Sequence, residues 1–259
     1  MGTQAPRIVL VCRVCYTHAD MSQPIFSIVI PAYDEEHFLP KCLDAIDRAA
    51  GRLGEPVEVI VADNASRDRT ADIARERGAR VVRVEEKCLA IIRNRGAAQA
   101  TGKYVAFIDA DTFMSDNMLV EVKRVMDSGR YVGGGVARVK PDRYSFGMLC
   151  SAIAFSPVMM RAGVSAVMFY TTLESFRAIG GFNETLYAVE DLDFGRRLKQ
   201  YGKTRGMKYK NLWRASVTTS TRKLDEYGDW FIIRHPLKVI KLLRNDPEEA
   251  YDFWYRPRR

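Results

Sequence analysis

The stretch YVAFIDADT, residues 104–112, decides how this chain is read. Tyr104, Val105, Phe107 and Ile108 make a short apolar run of the length of a buried strand. It ends in Asp109, Ala110 and Asp111, two carboxylates with one small residue between them. In an extended chain, residues two apart face the same side. Asp109 and Asp111 are therefore expected to present both carboxylates to one point, with Ala110 turned away. A core strand that finishes on paired negative charge needs something to neutralise it. Hard oxygen donors suit Mg²⁺ or Mn²⁺, and Mg²⁺ is typically held by one or two carboxylates together with substrate phosphates.

Three more apolar runs precede this one: FSIVIPAY (26–33), VEVIVAD (57–63) and ARVVRVE (79–85). Helices are expected between them. The first runs over 39–50 with Leu43 and Ile46 on its apolar face. The second runs over 70–77, capped by Ser66 or Asp68 and ended by Gly78, and a third carries Ala90, Ile91, Ala97 and Ala98 ahead of Gly102. Four strand–helix alternations argue for an α/β fold with a mostly parallel sheet covered on both faces. Ligands of such sheets bind beyond the carboxyl ends of the strands. PAYDEE, DNASRD and DADT all fall at those ends and outline a site. Further along, 133–139 reads as a strand, 144–156 as a buried helix, 164–170 as a strand and GGF (180–182) as a turn. A helix over 190–201 opens on Glu190, Asp191 and Asp193, acidic residues that by themselves suit a helix N-terminus.

Composition bounds the rest. The 259 residues are 47% hydrophobic and carry a formal net charge of +8, which favours acidic partners such as a nucleoside diphosphate or an anionic membrane surface. The basic residues are spread along the chain, and charge alone does not make a nucleic-acid binder. Five scattered cysteines do not form a disulfide framework, so a reducing cytoplasm is expected. Cys12, Cys15 and His18 fall short of the four ligands of a closed zinc site. Residues 1–24 read as a leader outside the fold, with Met21 as an alternative start. The apolar stretch 147–170 is interrupted by Pro157, Arg161 and Gly163 and falls short of the roughly 20 apolar residues of a membrane span.

Five blocks in order, SIVIPAYDEE, ADNASRDRT, RNRGAAQATGKYVAFIDADT, GGFNE and EDLDFGRRLKQYGK, resemble the family-2 glycosyltransferases of GT-A fold over about residues 25–222. The resemblance implies a Rossmann-like, mostly parallel sheet flanked by helices, with a smaller acceptor-side subdomain. It divides the chain into a nucleotide-sugar-binding half (25–115), an acceptor-binding and catalytic half (116–225) and a basic aromatic tail (226–259). It implies a nucleotide-sugar donor, UDP favoured, with Pro31, Ala32, Tyr33 and Glu35 along the nucleoside and Asp63 at the base. Arg93 lies near the donor, where it either helps to hold phosphate or forms a surface salt bridge. Asp109 falls on the ribose side and Asp111 at the metal–diphosphate contact, with Mg²⁺ or Mn²⁺ as the cation. Glu190 and Asp191 match the family's acidic pair, Asp191 being the expected base of an inverting displacement onto an acceptor hydroxyl.

The chain departs from the pattern of processive synthases. No Q-x-x-R-W block follows the acidic pair, so single addition to a glycan, lipid-linked or small-molecule acceptor is expected. TSTR (219–222) is either a surface loop or a segment that closes over the site with Arg222 toward phosphate. His235 is a third metal ligand by residue type only. In the tail, Lys238, Lys241 and Arg244 recur beside Leu237, Ile240 and Leu243, a pattern that fits peripheral membrane contact or packing on the core or in a homo-oligomer; packing is favoured. A sugar-phosphate nucleotidyltransferase would want a Gly-rich basic loop where PAYDEE stands, and no G-x-G-x-x-G marks a dinucleotide oxidoreductase. A non-catalytic binding module on the same fold would have less use for the three aspartates Asp109, Asp111 and Asp191.

Overall fold

The computed structural model describes residues 23–151, 153–154 and 167–255; Cys12, Cys15, His18 and Met21 lie outside them. The described chain folds around one eight-stranded sheet in the order β3-β2-β1-β4-β7-β6-β8-β5. The strands are β1 (Phe26–Ala32), β2 (Val57–Asp63), β3 (Arg80–Arg83), β4 (Tyr104–Ile108), β5 (Thr112–Met114), β6 (Tyr131–Pro141), β7 (Met168–Thr172) and β8 (Lys208–Thr219). β3, β2, β1 and β4 run parallel to one another. β7 is antiparallel to both β4 and β6. β6 and β8 pair in parallel and β5 closes the edge antiparallel to β8.

All seven residues of β1 are buried, as a central strand covered on both faces requires. Its side chains part by alternation. Phe26, Ile28 and Ile30 join Tyr104, Ala106 and Ile108 in a core beneath α1 (Leu39–Leu53) and α4 (Met118–Met126). Val29 joins Val105 and Phe107 on the opposite face, under α3 (Leu89–Ala97) and the helix Glu190–Thr204. Gly96 lets α3 come close: a Cβ there would lie 2.6 Å from Val29 Cγ1. α1 runs three residues beyond its expected end at 50, stopping where Gly54 takes φ 71° and donates its N–H to the Ala50 carbonyl at 2.9 Å.

Two expectations fail. The segment expected to form a buried helix over 144–156 is helical over 146–151, yet Phe146, Leu149 and Ile153 are mostly exposed. Among its described residues Gly147 and Ser151 are buried, against Asp229 and Trp230, while the larger apolar side chains are not, so its apolar content reflects surface rather than core. The strand expected over 164–170 is observed over Met168–Thr172, its first residues lying outside the described chain. β5 and β8 were unread in the sequence, because β8 buries only Leu212, Ala215 and Val217 of its twelve residues and shows no clean apolar run. No helix among the described residues is long and apolar enough to cross a membrane.

Candidate active site

The first two strand ends are locked to each other. Beyond β1, the Glu35 N–H donates to Thr70 Oγ1 (2.7 Å) and the Glu36 N–H to Asp68 Oδ2 (2.9 Å). In return, Asp34 Oδ1 accepts the Arg67 N–H (2.7 Å) and Glu36 Oε2 accepts that of Arg69 (3.1 Å). Asp68 also receives the Thr70 N–H, the role expected of it at the start of α2 (Thr70–Glu76). Asp34 and Ala65 both sit at φ 52°, a conformation that side-chain-bearing residues adopt at a cost of roughly 1–2 kcal/mol. Polar residues of PAYDEE and DNASRD thus brace the two loops. Pro31, Ala32 and Asp63 are left at neighbouring strand ends, where Ala32 pairs with Asp63. Tyr33 is half-buried just beyond, with the Lys87 ammonium 5.8 Å from its ring centre.

Asp109 and Asp111 come together by a turn rather than by strand alternation. β4 ends at Ile108, and the Thr112 N–H closes back onto the Asp109 carbonyl at 3.0 Å. Ala110 is buried in the core as expected. The two carboxylates are held by different arginines. Asp109 Oδ1 accepts from Arg93 at 2.9 Å, while Asp111 Oδ2 lies 3.3 Å from Arg222 Nε. Arg222 also grips Glu35 with both terminal nitrogens, Nη1 at 2.9 Å from Oε2. Its guanidinium lies 5.1 Å from the centre of the Phe38 ring. TSTR is therefore tied by Arg222 to the end of β1 and to Asp111 rather than lying as an unattached surface loop.

Arg93 is neither a free cation nor a surface salt bridge. Its side chain is 4% exposed and spans from Asp109 to Glu190, whose Oε1 accepts at 2.7 Å. Stacked below it, Phe182 lies 5.3 Å from the guanidinium and 4.3 Å from Phe194 of the acidic helix. The next residue, Asn94, clamps the GGF turn: it accepts the Phe182 N–H at 2.9 Å and donates to the Phe182 carbonyl at 2.8 Å. Gly181, at φ 67°, would bring a Cβ within 2.6 Å of Asn94 Oδ1, so the turn needs glycine there. One turn of α3 thereby fixes both Asp109 and the helix that carries Glu190 and Asp191. A cavity of about 370 Å³ beside this clamp is lined by Asn94, Gly180, Phe182, Asn183, Glu184 and Arg197. None of the carboxylates assigned to the site lines it.

The electrostatics separate these groups. Burial, and then the neighbouring Glu190 charge, pushes the largely buried Asp191 up to about 7 against the pull of Arg93. Burial and the Asp109 charge push Asp111 up to about 6. Glu35 rises to about 7, again mainly by burial, despite Arg222. Glu35, Asp109 and Asp111 thus crowd negative charge into a place where a further cation is favourable, which fits the oxygen-rich donor set of Mg²⁺ or Mn²⁺. Among the described residues no group of three His, Cys, Asp or Glu is arranged to hold a metal. The chain would supply Asp111 and Asp109, and a diphosphate the remaining oxygens. His235 is exposed on the tail against Phe231.

Arg222 gives a pH-dependent test. A carboxyl raised in the folded state from 4.5 to about 7 favours folding below the lower value and loses that contribution as pH rises through the upper one. At pH 8, Glu35 is ionised and depends on Arg222. Because Arg222 is a third exposed, Arg222→Met is expected to cost only about 1 kcal/mol there, below the range for fully buried pairs. That corresponds to a melting midpoint lower by roughly 2–4 °C. At pH 5 the loss should nearly vanish. An equal loss at both pH values, read by calorimetry without metal or nucleotide, would contradict this assignment.

The model of glycosyl transferase family 2 matches residues 27–172, more than half of the chain. The chain belongs to that family. Among its relatives, the uncharacterized glycosyltransferase EpsJ of Bacillus subtilis is 28% identical over 130 residues, covering 48% of this chain and 37% of EpsJ. The undecaprenyl-phosphate 4-deoxy-4-formamido-L-arabinose transferase of Pectobacterium atrosepticum is 28% identical over 163 residues, covering 58% of this chain and 48% of the relative. The chain thus spans about a third to a half of the length of these relatives. S. aureus TarS 1–349, solved with UDP-GlcNAc, superposes with a TM-score of 0.58 at 19% identity, over 87% of this chain and 68% of TarS 1–349. The mannosyltransferase PcManGT of Pyrobaculum calidifontis, solved with GDP-Man and Mn²⁺, gives 0.58 at 17% identity over 89% and 70%. The mixed sheet flanked by helices is the GT-A fold of these family-2 structures.

Proposed function

We propose that this chain is an inverting, metal-dependent glycosyltransferase. It moves one sugar from a nucleoside-diphosphate donor to an acceptor hydroxyl carried by a glycan, a lipid-linked molecule or a small molecule. The observation that carries the reading is the span of Arg93. One buried guanidinium joins the Asp109 turn at the donor-side strand ends to Glu190, next to Asp191. The acceptor-side base and the donor turn are thereby held across a single site. Pro31, Ala32, Tyr33 and Asp63 take the nucleoside, Asp109 the ribose side and Asp111 the cation and diphosphate.

The acceptor oxygen attacks the anomeric carbon as the bond from that carbon to the diphosphate oxygen breaks. Asp191 takes the acceptor's proton, and a carboxyl raised to about 7 is a fitting base near neutral pH. Glu190, buried against Arg93, holds the helix start in place. Arg222 closes over the departing diphosphate once Glu35 releases it. A divalent cation, when bound at Asp111, offsets the charge that develops on the leaving group. One displacement inverts the anomeric centre. UDP is favoured as donor nucleotide: TarS and the Mycobacterium tuberculosis glucosyl-3-phosphoglycerate synthase were solved with UDP species, the latter with Mn²⁺. We place the enzyme in the cytoplasm, where its scattered cysteines stay reduced.

Thermal unfolding with UDP, GDP, dTDP or CMP, each with Mn²⁺, Mg²⁺ or EDTA, tests this. A ligand at 100 times its dissociation constant stabilises by about 2.7 kcal/mol, or roughly 5–10 °C for a chain of this size. The expected result is a shift with UDP that EDTA abolishes and Asp111→Asn removes. No shift with any nucleotide would favour a non-catalytic module.

A further inference from the structure

Eleven large hydrophobic side chains are exposed among the described residues, and seven of them lie on just two segments, 144–153 and 233–240. Phe146 is 73% exposed, Ile153 62% and Leu237 74%. The helix Pro236–Leu243 buries none of its residues. Its outer side carries Leu237, Ile240, Lys241 and Arg244, spaced three and four apart so that they share one face. Glu249 meets Lys238 at 3.3 Å and Lys241 at 3.9 Å and offsets part of the helix's positive charge. The exposed face itself remains apolar with a basic rim.

The first segment packs on the chain just ahead of the second. Arg143 Nη2 donates to Asp229 Oδ1 at 2.9 Å, Ser151 Oγ donates to the Asp229 carbonyl at 2.7 Å, and the Phe146 ring lies 6.1 Å from that of Trp230. Past Arg244 the chain turns at Asn245, at φ 60°, whose side chain seizes the loop that leads to the acidic pair. Asn245 Oδ1 accepts the Tyr187 N–H at 2.6 Å, and its amide donates to the Thr185 carbonyl at 3.2 Å. The exposed surface is thus tied, one residue beyond its last basic side chain, to the approach to Asp191.

We infer that this surface is where the protein lies on an anionic lipid bilayer. An apolar patch of this concentration marks an interaction site. A basic rim around it complements anionic headgroups, which attract such side chains near the membrane surface. The inference names the partner on the acceptor side of the function proposed above. Lying there, the protein would bring the loop before Asp191 to a lipid-linked acceptor at the headgroups.

The test is co-sedimentation of the full chain with phosphatidylcholine vesicles, with and without phosphatidylglycerol. Phosphatidylglycerol should raise the bound fraction about tenfold or more, and raising salt from about 0.15 to about 1 M should reverse much of it as screening shortens. Leu237→Glu combined with Ile240→Glu should bind about tenfold less while keeping the wild-type melting midpoint. Absence of wild-type sedimentation, or equal sedimentation of the folded variant, would overturn the inference. So would a dimer in light scattering that the variant abolishes, since the face would then belong to a second copy. Sedimentation does not require turnover. Vesicle binding without a UDP–metal shift would sink the proposed activity and leave this surface standing.

Discussion

Asp191→Asn is expected to lower turnover by about 100- to 10,000-fold while leaving the UDP–metal thermal shift at its wild-type size. The amide keeps the shape of the side chain and can still accept the Leu192 N–H, which bonds Asp191 Oδ1 at 2.6 Å. It cannot take a proton from an acceptor hydroxyl. The wild-type pH profile supplies a second readout. Asp191 is raised to about 7, first by burial and then by Glu190. A base must be ionised to act, so kcat/KM should rise about tenfold per pH unit below 7 and level above it. Asp191→Asn should flatten that limb. Turnover within tenfold of wild type would remove Asp191 from the role of base, even if donor binding were intact.

Arg93→Met should produce the largest loss of stability in the molecule. Arg93 is buried against two carboxylates; burial works against its charge most strongly, yet the combined pull of Asp109 and Glu190, with Asp191 beyond them, holds it above the usual arginine value. Removing the cation leaves the buried Glu190 carboxylate without its partner, an arrangement that typically costs about 3–5 kcal/mol. The melting midpoint should fall by roughly 6–20 °C. Arg93→Lys restores the charge but lacks the fork that reaches both carboxylates at once, so it should recover only part of the loss. Calorimetry on the two variants decides the matter. A fall of less than about 1 kcal/mol for Arg93→Met would mean that the Arg93 bridge does not hold these elements together.

The sequence by itself determined the first four strands, the helices between them and the places where chemistry gathers. Each depends on local pattern: FSIVIPAY, VEVIVAD and YVAFI are apolar because both faces of a central sheet are covered, and polar residues can begin only where a strand leaves the core. The ordered blocks around RNRG, DADT, GGFNE and EDLDFG were legible for the same reason, each being contiguous in the chain. Tertiary structure alone decided what joins them. Arg93 meets Glu190 at a sequence separation of 97 and Arg222 meets Glu35 at one of 187, distances along the chain over which no periodicity carries a signal. It also decided that Asp109 and Asp111 share a turn while answering to different arginines. In the same way it set Phe146 and Leu149 outward, because whether an apolar side chain is core or surface depends on what packs against it, and only the folded chain supplies those neighbours.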